Sequence, residues 1–192
     1  MYVRDAKNRD EPWLLEHIEA MGLDTEAFRS RDYVIAVEEE TDERVGFGRL
    51  RQHAGEPAVC ELTGIGVLEA WRRQGVGAHV IERLVTEAGD DGFETVYVLT
   101  DQPTYLEQFG FRERDAERLP EPLRGRLERK RSAVSERVVP LSVDREAFEM
   151  PPRLREAFKT ATGEPEATAP PETAEDFGID PDSATYKYDT GR

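Results

Sequence analysis

Apolar positions change their period along this chain, and each change marks an element. Tyr2–Arg4 reads as a short first strand. Asn8 or Asp10 is placed to cap a helix that takes Pro12 in its first turn, buries Trp13, Leu14, Ile18 and Met21, and ends at Gly22. A short helical piece is expected over Thr25–Ser30. Asp32–Glu39 and Arg44–Leu50 have strand character and are joined by Glu40-Thr41-Asp42-Glu43, which predicts a hairpin. Ala58–Leu68 continues this meander with Gly64 and Gly66 inside it, and glycines there mark a bulge or the close approach of another backbone.

From Gly75 onward, Val76, Val80, Ile81, Leu84, Val85 and Ala88 recur at three- and four-residue spacing. That period predicts an amphipathic helix, ended near Gly89–Gly92. Thr95–Leu99 is a buried-type strand, Thr104–Phe109 a short helix, and Phe111 begins another strand. A basic helical stretch, Arg124–Arg131, precedes the last strand, Val138–Val143. The order predicts a mixed sheet with helices packed on it, the α/β (α+β) class. Beyond Asp144 the pattern fades. Residues 144–192 hold six of the twelve prolines and twelve acidic against six basic residues. The domain is therefore expected over 1–143, with 144–192 as an acidic, Pro-rich, partly disordered extension. Within it Leu154–Phe158 suits a helical turn or two, and Asp176–Tyr188 regains enough hydrophobicity to dock on a surface.

Charge narrows the function. The 192 residues carry a formal net charge of −15, and only Lys7, Lys130, Lys159 and Lys187 are lysines. An acidic excess with so little Lys suits a protein adapted to high salt, where carboxylates keep the surface hydrated; a merely soluble acidic protein is the plain alternative. A nucleic-acid partner is disfavoured. Cys60 is the lone cysteine, so neither an internal disulfide nor a multi-Cys metal site is expected, and no metal is called for. The first ten residues lack an apolar leader core and no apolar run is long enough to cross a bilayer. The expectation is a soluble, cytoplasmic protein without a membrane partner. His17, His53 and His79 lack metal-ligand spacing and read, like Trp13 and Trp71, as packing or surface residues.

The chemistry gathers after the glycine-broken strand. In Arg72-Arg73-Gln74-Gly75-Val76-Gly77, glycines feed a helix N-terminus, whose unpaired N–H groups and dipole favour a phosphate or pyrophosphate. No Gly-Lys-Ser/Thr follows and the third glycine of a dinucleotide fingerprint is missing. In that context Arg72-x-x-Gly75-x-Gly77 resembles the coenzyme A-binding motif of the GCN5-related N-acetyltransferase (GNAT) superfamily, and Gly110-Phe111 matches a second recurrent feature. The resemblance covers about 1–143. Val96–Thr100, Tyr105–Phe111, Leu119-Pro120 and Arg129-Lys130-Arg131-Ser132 further resemble the acetyltransferase domain of amino-acid N-acetyltransferases of the N-acetylglutamate synthase kind.

That resemblance implies a mostly antiparallel central sheet flanked by helices, and acetyl-CoA as co-substrate. It implies that main-chain groups of Ile65, Gly66 and Val67 bind pantetheine and the thioester carbonyl. Arg72 and Arg73 would add charge, and the amides of Arg73, Gln74, Gly75, Val76, Gly77 and Ala78 would hold the pyrophosphate. Strand splaying near Gly64 and Gly66 would free backbone groups for pantetheine's amides, and one N–H for the oxyanion.

Acetyl transfer to an amine needs a base. Glu61, between Cys60 and Leu62, would suit that work if apolar surroundings raise its pKa; the alternative is an edge-strand Glu facing solvent. The family's Tyr acid would fall at Leu106, with Tyr105 one residue off, and the amino-acid branch points to Thr100 instead. Arg124–Arg131 is either a solvated helix face or the source of a guanidinium for a substrate carboxylate, Arg129 or Arg131. The expected activity is acetyl transfer to a small amino acid such as glutamate. Transfer to a protein N-terminus or small amine, and a non-catalytic acyl-CoA-binding module, are the alternatives. A homodimer is left open.

Overall fold

The computed structural model describes residues 1–163. The elements are β1 (Tyr2–Asp5), α1 (Glu11–Ala20), β2 (Tyr33–Val37), β3 (Arg44–His53), β4 (Val59–Val67), α2 (Val76–Asp90), β5 (Thr95–Thr100), α3 (Pro103–Glu107), β6 (Arg112–Glu113), α4 (Glu121–Ala133), β7 (Val139–Asp144) and α5 (Pro152–Lys159). The strands make one seven-stranded sheet in the order β1-β2-β3-β4-β5-β7-β6. Every neighbouring pair is antiparallel except β4 and β5, which run parallel. This is the mixed, mostly antiparallel sheet flanked by helices that the sequence predicts.

Alternation along β3 and β4 divides the core. Leu50, Cys60 and Leu62 face the apolar stripe of α2, with Val80, Ile81, Leu84 and Val85. On the other face Phe47 meets Leu14 and Ile18 of α1, while Val59 and Leu99 meet Leu123 and Leu127 of α4. Such burial supplies most of the stability of helices this short. Among the described residues no helix is long and apolar enough to cross a membrane.

Two local expectations are corrected. Asp10 does not cap α1 through its side chain. Its buried carboxylate accepts hydrogen bonds from Arg4 (2.7 Å), Arg44 (2.8 Å) and the Lys7 N–H (2.8 Å), tying β1 to β3. Thr25–Ser30 is irregular rather than helical, because the acids beside it, Asp24 and Glu26, are drawn to arginines of other elements. Thr25–Ser30 thus follows its tertiary partners, and a lone helical turn has little stability to oppose them.

The described start of the extension packs on the domain. After β7 the chain runs past Gly110 and Phe109, whose carbonyl accepts from the Glu149 N–H at 3.1 Å. Helix α5 then buries Leu154 and Phe158, with Phe158 stacked on His79 at 3.8 Å between centroids. Gly163 lies against Trp71. Residues 164–192, with the stretch Asp176–Tyr188 expected to dock, lie outside the described residues.

Candidate active site

Strands β4 and β5 are paired only at Cys60↔Val96 and Glu61↔Tyr97. Beyond Glu61 the two strands part. Gly64, at φ +59, sits where the β3–β4 register shifts, a bulge that bends β4 away. The backbone from residue 62 to 67 therefore keeps a strand partner on the β3 side and has none on the β5 side. Between the parted strands lies a cavity of about 170 Å³, lined by Thr63, Gly64, Ile65, Leu99, Thr100 and Tyr105, among others. Gly66 and Val67 continue β4 past it, paired with Phe47 and Gly46.

Down-chain, the loop from Arg72 to Gly75 delivers the start of α2. Arg73 (φ +65) and Gly75 (φ +74) are both left-handed, which turns consecutive amides the same way. Arg72 Nε donates to Val67 O (3.2 Å) and Gln74 Nε2 to Ala70 O (2.9 Å), fixing the loop on the end of β4. No side chain caps α2 and no acid occupies its first turn, where Val76, Gly77 and Ala78 are buried. A fifteen-residue helix thus presents an uncapped positive end beside two arginines, the arrangement that suits a diphosphate.

Glu61 is wholly buried, but not among apolar groups. Oε2 accepts from His53 Nε2 (2.9 Å) and Arg126 Nε (3.2 Å), and Oε1 lies 3.4 Å from Lys130 Nζ. Burial alone would raise its pKa; the His53 hydrogen bond and the charges of Lys130 and Arg126 instead hold it at about 2. The surroundings are not the apolar ones expected: two hydrogen-bond donors on Oε2 and the nearby Lys130 ammonium favour the ionised carboxyl. His53 correspondingly is no mere packing residue.

Lys130 is the member of this cluster that reaches the cavity wall. Its Nζ donates to Leu99 O at 2.9 Å, and burial pushes its pKa down from the ordinary lysine value. Arg126 fans out to Asp24, to Glu26 (2.9 Å) and to Glu61, so α4 grips the segment after α1. Arg129 reaches Glu26 at 3.4 Å, Arg131 donates to Val138 O at 2.9 Å, and neither lines the cavity. Thr100 Oγ1 accepts from the Gln102 N–H at 3.0 Å, and Tyr105 packs edge-on to Phe109. Sequence reasoning picked the flanking arginines and missed Lys130 between them, along with Arg126 and His53. The four-residue spacing of Arg126 and Lys130 on one helix face was the available signal.

The Acetyltransferase (GNAT) family profile matches residues 2–111. The chain belongs to this family. Among solved structures, this acetyltransferase is similar to N-acetylglutamate synthase from Neisseria gonorrhoeae, solved with coenzyme A and N-acetyl-glutamate. The identity is 18%, the TM-score 0.62, and the match covers 74% of this chain and 34% of that one. The chain thus spans about a third of that synthase. Rv2747 from Mycobacterium tuberculosis, solved with CoA, matches at 19% identity and TM-score 0.61, over 75% of this chain and 99% of that one. An aminoglycoside 6'-acetyltransferase type Ii matches at 19% and 0.52, over 76% and 97%. At such identities the likeness is one of fold. No curated protein matches the sequence.

Proposed function

We propose that this acetyltransferase moves the acetyl group of acetyl-coenzyme A to the amine of a small amino acid such as glutamate. The observation that carries the reading is the parting of β4 and β5 beside the uncapped start of α2, with Lys130 on the wall of the opening. Pantetheine, an extended chain with two amides, would pair with the unpartnered backbone of residues 62–67 as an added strand does. The diphosphate would rest on the amides between Arg73 and Ala78, with Arg72 and Arg73 adding charge.

The cavity wall is complementary to a zwitterion. Its lining holds groups of both signs, Lys130 with Asp24 and Asp101, which suits a ligand that carries both a carboxylate and an ammonium. The amine nitrogen attacks the thioester carbonyl carbon; the N–C bond forms, the C–S bond breaks, and coenzyme A leaves as a thiolate that takes up a proton. A backbone N–H freed by the splay would stabilise the oxyanion, a contribution of about 3 kcal/mol where such donors have been removed. Thr100 and Tyr105 border the cavity as candidate proton donors to sulfur, a thiolate needing only modest help.

The cations around Glu61 favour its ionised form, and Glu61 is not among the residues that line the cavity. Glu61 is therefore assigned as the positioning residue that fixes Lys130 and Arg126, and the amine's proton passes to solvent. The experiment is a thiol-release screen with acetyl-CoA against amino acids, simple amines and peptide N-termini, at low and at molar KCl. Release that requires an α-amino acid supports the proposal. Release with amines or peptides alone moves the acceptor class. Coenzyme binding without release with any acceptor rejects turnover.

A further inference from the structure

Strand β2 begins at Tyr33, opposite Arg49, so β3 beyond residue 49 has no strand beside it on that side. The notch this leaves is a second cavity, about 670 Å³, that shares no lining residue with the acetyl-transfer cavity. Its cationic lining is Arg29, Arg31, Arg49, Arg51 and Arg129, in a chain whose net charge is −15.

These cations are not balanced locally. Arg51 (3.0 Å) and Arg129 (3.4 Å) share Glu26, which also pairs with Arg126 outside the notch (2.9 Å). The side chains of Arg29 and Arg31 have no hydrogen bond or ion pair among the described residues. Of the acids around the notch, Asp32 is taken by Arg49 at 3.1 Å and Asp91 accepts from Gln52 at 2.7 Å. Glu87 is pushed by burial up to about 7, which weakens it as a counter-charge.

Two guanidinium nitrogens make the case specific. Arg51 Nη1 and Arg49 Nε are buried and have no hydrogen-bond partner among the described residues, and Arg49 as a whole is only 2% exposed. Buried N–H donors are almost always satisfied, and a planar guanidinium matches the spacing of two oxygens of one carboxylate or phosphate. We propose that this notch binds a small oxyanion, a carboxylate or phosphate group, held by Arg51 with Arg29 and Arg31 closing over it. The long-range field of the chain repels anions, so saturable anion binding must come from such a local concentration of positive charge.

The test is calorimetric titration of the full chain with inorganic phosphate and, separately, malonate, at ionic strength fixed by KCl and with coenzyme A saturating. One saturable site is expected, weakened at least tenfold in Arg51→Met and in the double variant Arg29→Gln/Arg31→Gln. The double variant should retain wild-type thiol-release turnover, which also certifies its fold. A response to phosphate alone, or to malonate alone, assigns the geometry of the natural ligand and supports the site. No saturable heat from either anion overturns the proposal. So does binding that the double variant leaves within twofold of wild type, or binding that appears only when coenzyme A is omitted, which would locate the anion at the start of α2.

Discussion

Glu61 is surrounded by donors rather than by hydrocarbon, and its consequences are separable by kinetics. Replacing it with Gln keeps the shape but removes the charge that fixes Lys130 and Arg126. The expected result is a roughly tenfold or larger rise in acceptor KM, with coenzyme affinity unchanged, as losing one charged contact implies. A fall of about a hundredfold in kcat at saturating acceptor would instead restore a base at this position. Lys130→Met should show the same rise in acceptor KM, and equal KM values in variant and wild type would remove Lys130 from acceptor binding. The same residue sets an acid limit. A carboxyl held at about 2 rather than 4.5 contributes fully to stability above pH 4.5 and loses that contribution as pH falls toward 2. Thermal unfolding should therefore show a gap between wild type and Glu61→Gln that is widest above pH 4.5 and closes below it.

Among the elements, β4, the loop and α2 were legible in sequence because their signals are local. Gly64 and Gly75 do adopt left-handed backbone, and the three- and four-residue period from Val76 to Ala88 is the buried stripe of α2. What was not legible is assembled over distance. Arg126 and Lys130 lie on α4, far along the chain from Glu61, and Glu26 is 25 residues from Arg51. Composition around Glu61 shows Cys60 and Leu62, but alternation sends those two to the α2 face and Glu61 to the face of α4. Neighbours in sequence were thus a poor guide to neighbours in space. Gly75 tests the local part: its backbone is left-handed, and a methyl there would overlap the Leu154 carbonyl. Gly75→Ala should weaken coenzyme affinity about tenfold while leaving acceptor KM near wild type, since strain of this order distorts the loop rather than the cavity. Unchanged affinity in calorimetry would detach this loop from the coenzyme.

For the whole molecule, the boundary expected at 143 separates a sheet from the segment that braces its coenzyme loop. Leu154 and Phe158 are buried against the main core, and the Thr162 N–H donates to Gln74 Oε1 at 2.9 Å. A chain ending at Glu149 should melt several degrees lower, because two buried apolar side chains are lost, and should bind coenzyme more weakly. A chain ending at Gly163, which keeps α5, should melt above the one ending at Glu149. Equal melting temperatures for all three would show that α5 contributes no stability.

Gly163, the last described residue, rests on Trp71 beside the loop from Arg72 to Gly75. Residues 164–192 hold eight acids and two bases, a net charge of the same sign as a diphosphate. Mutual repulsion of that kind fades as added ions shorten its range, to about 3 Å at molar salt. Coenzyme affinity should then hold up better with rising KCl in the full chain than in one ending at Gly163, so the acids beyond Gly163 would act as a salinity gauge.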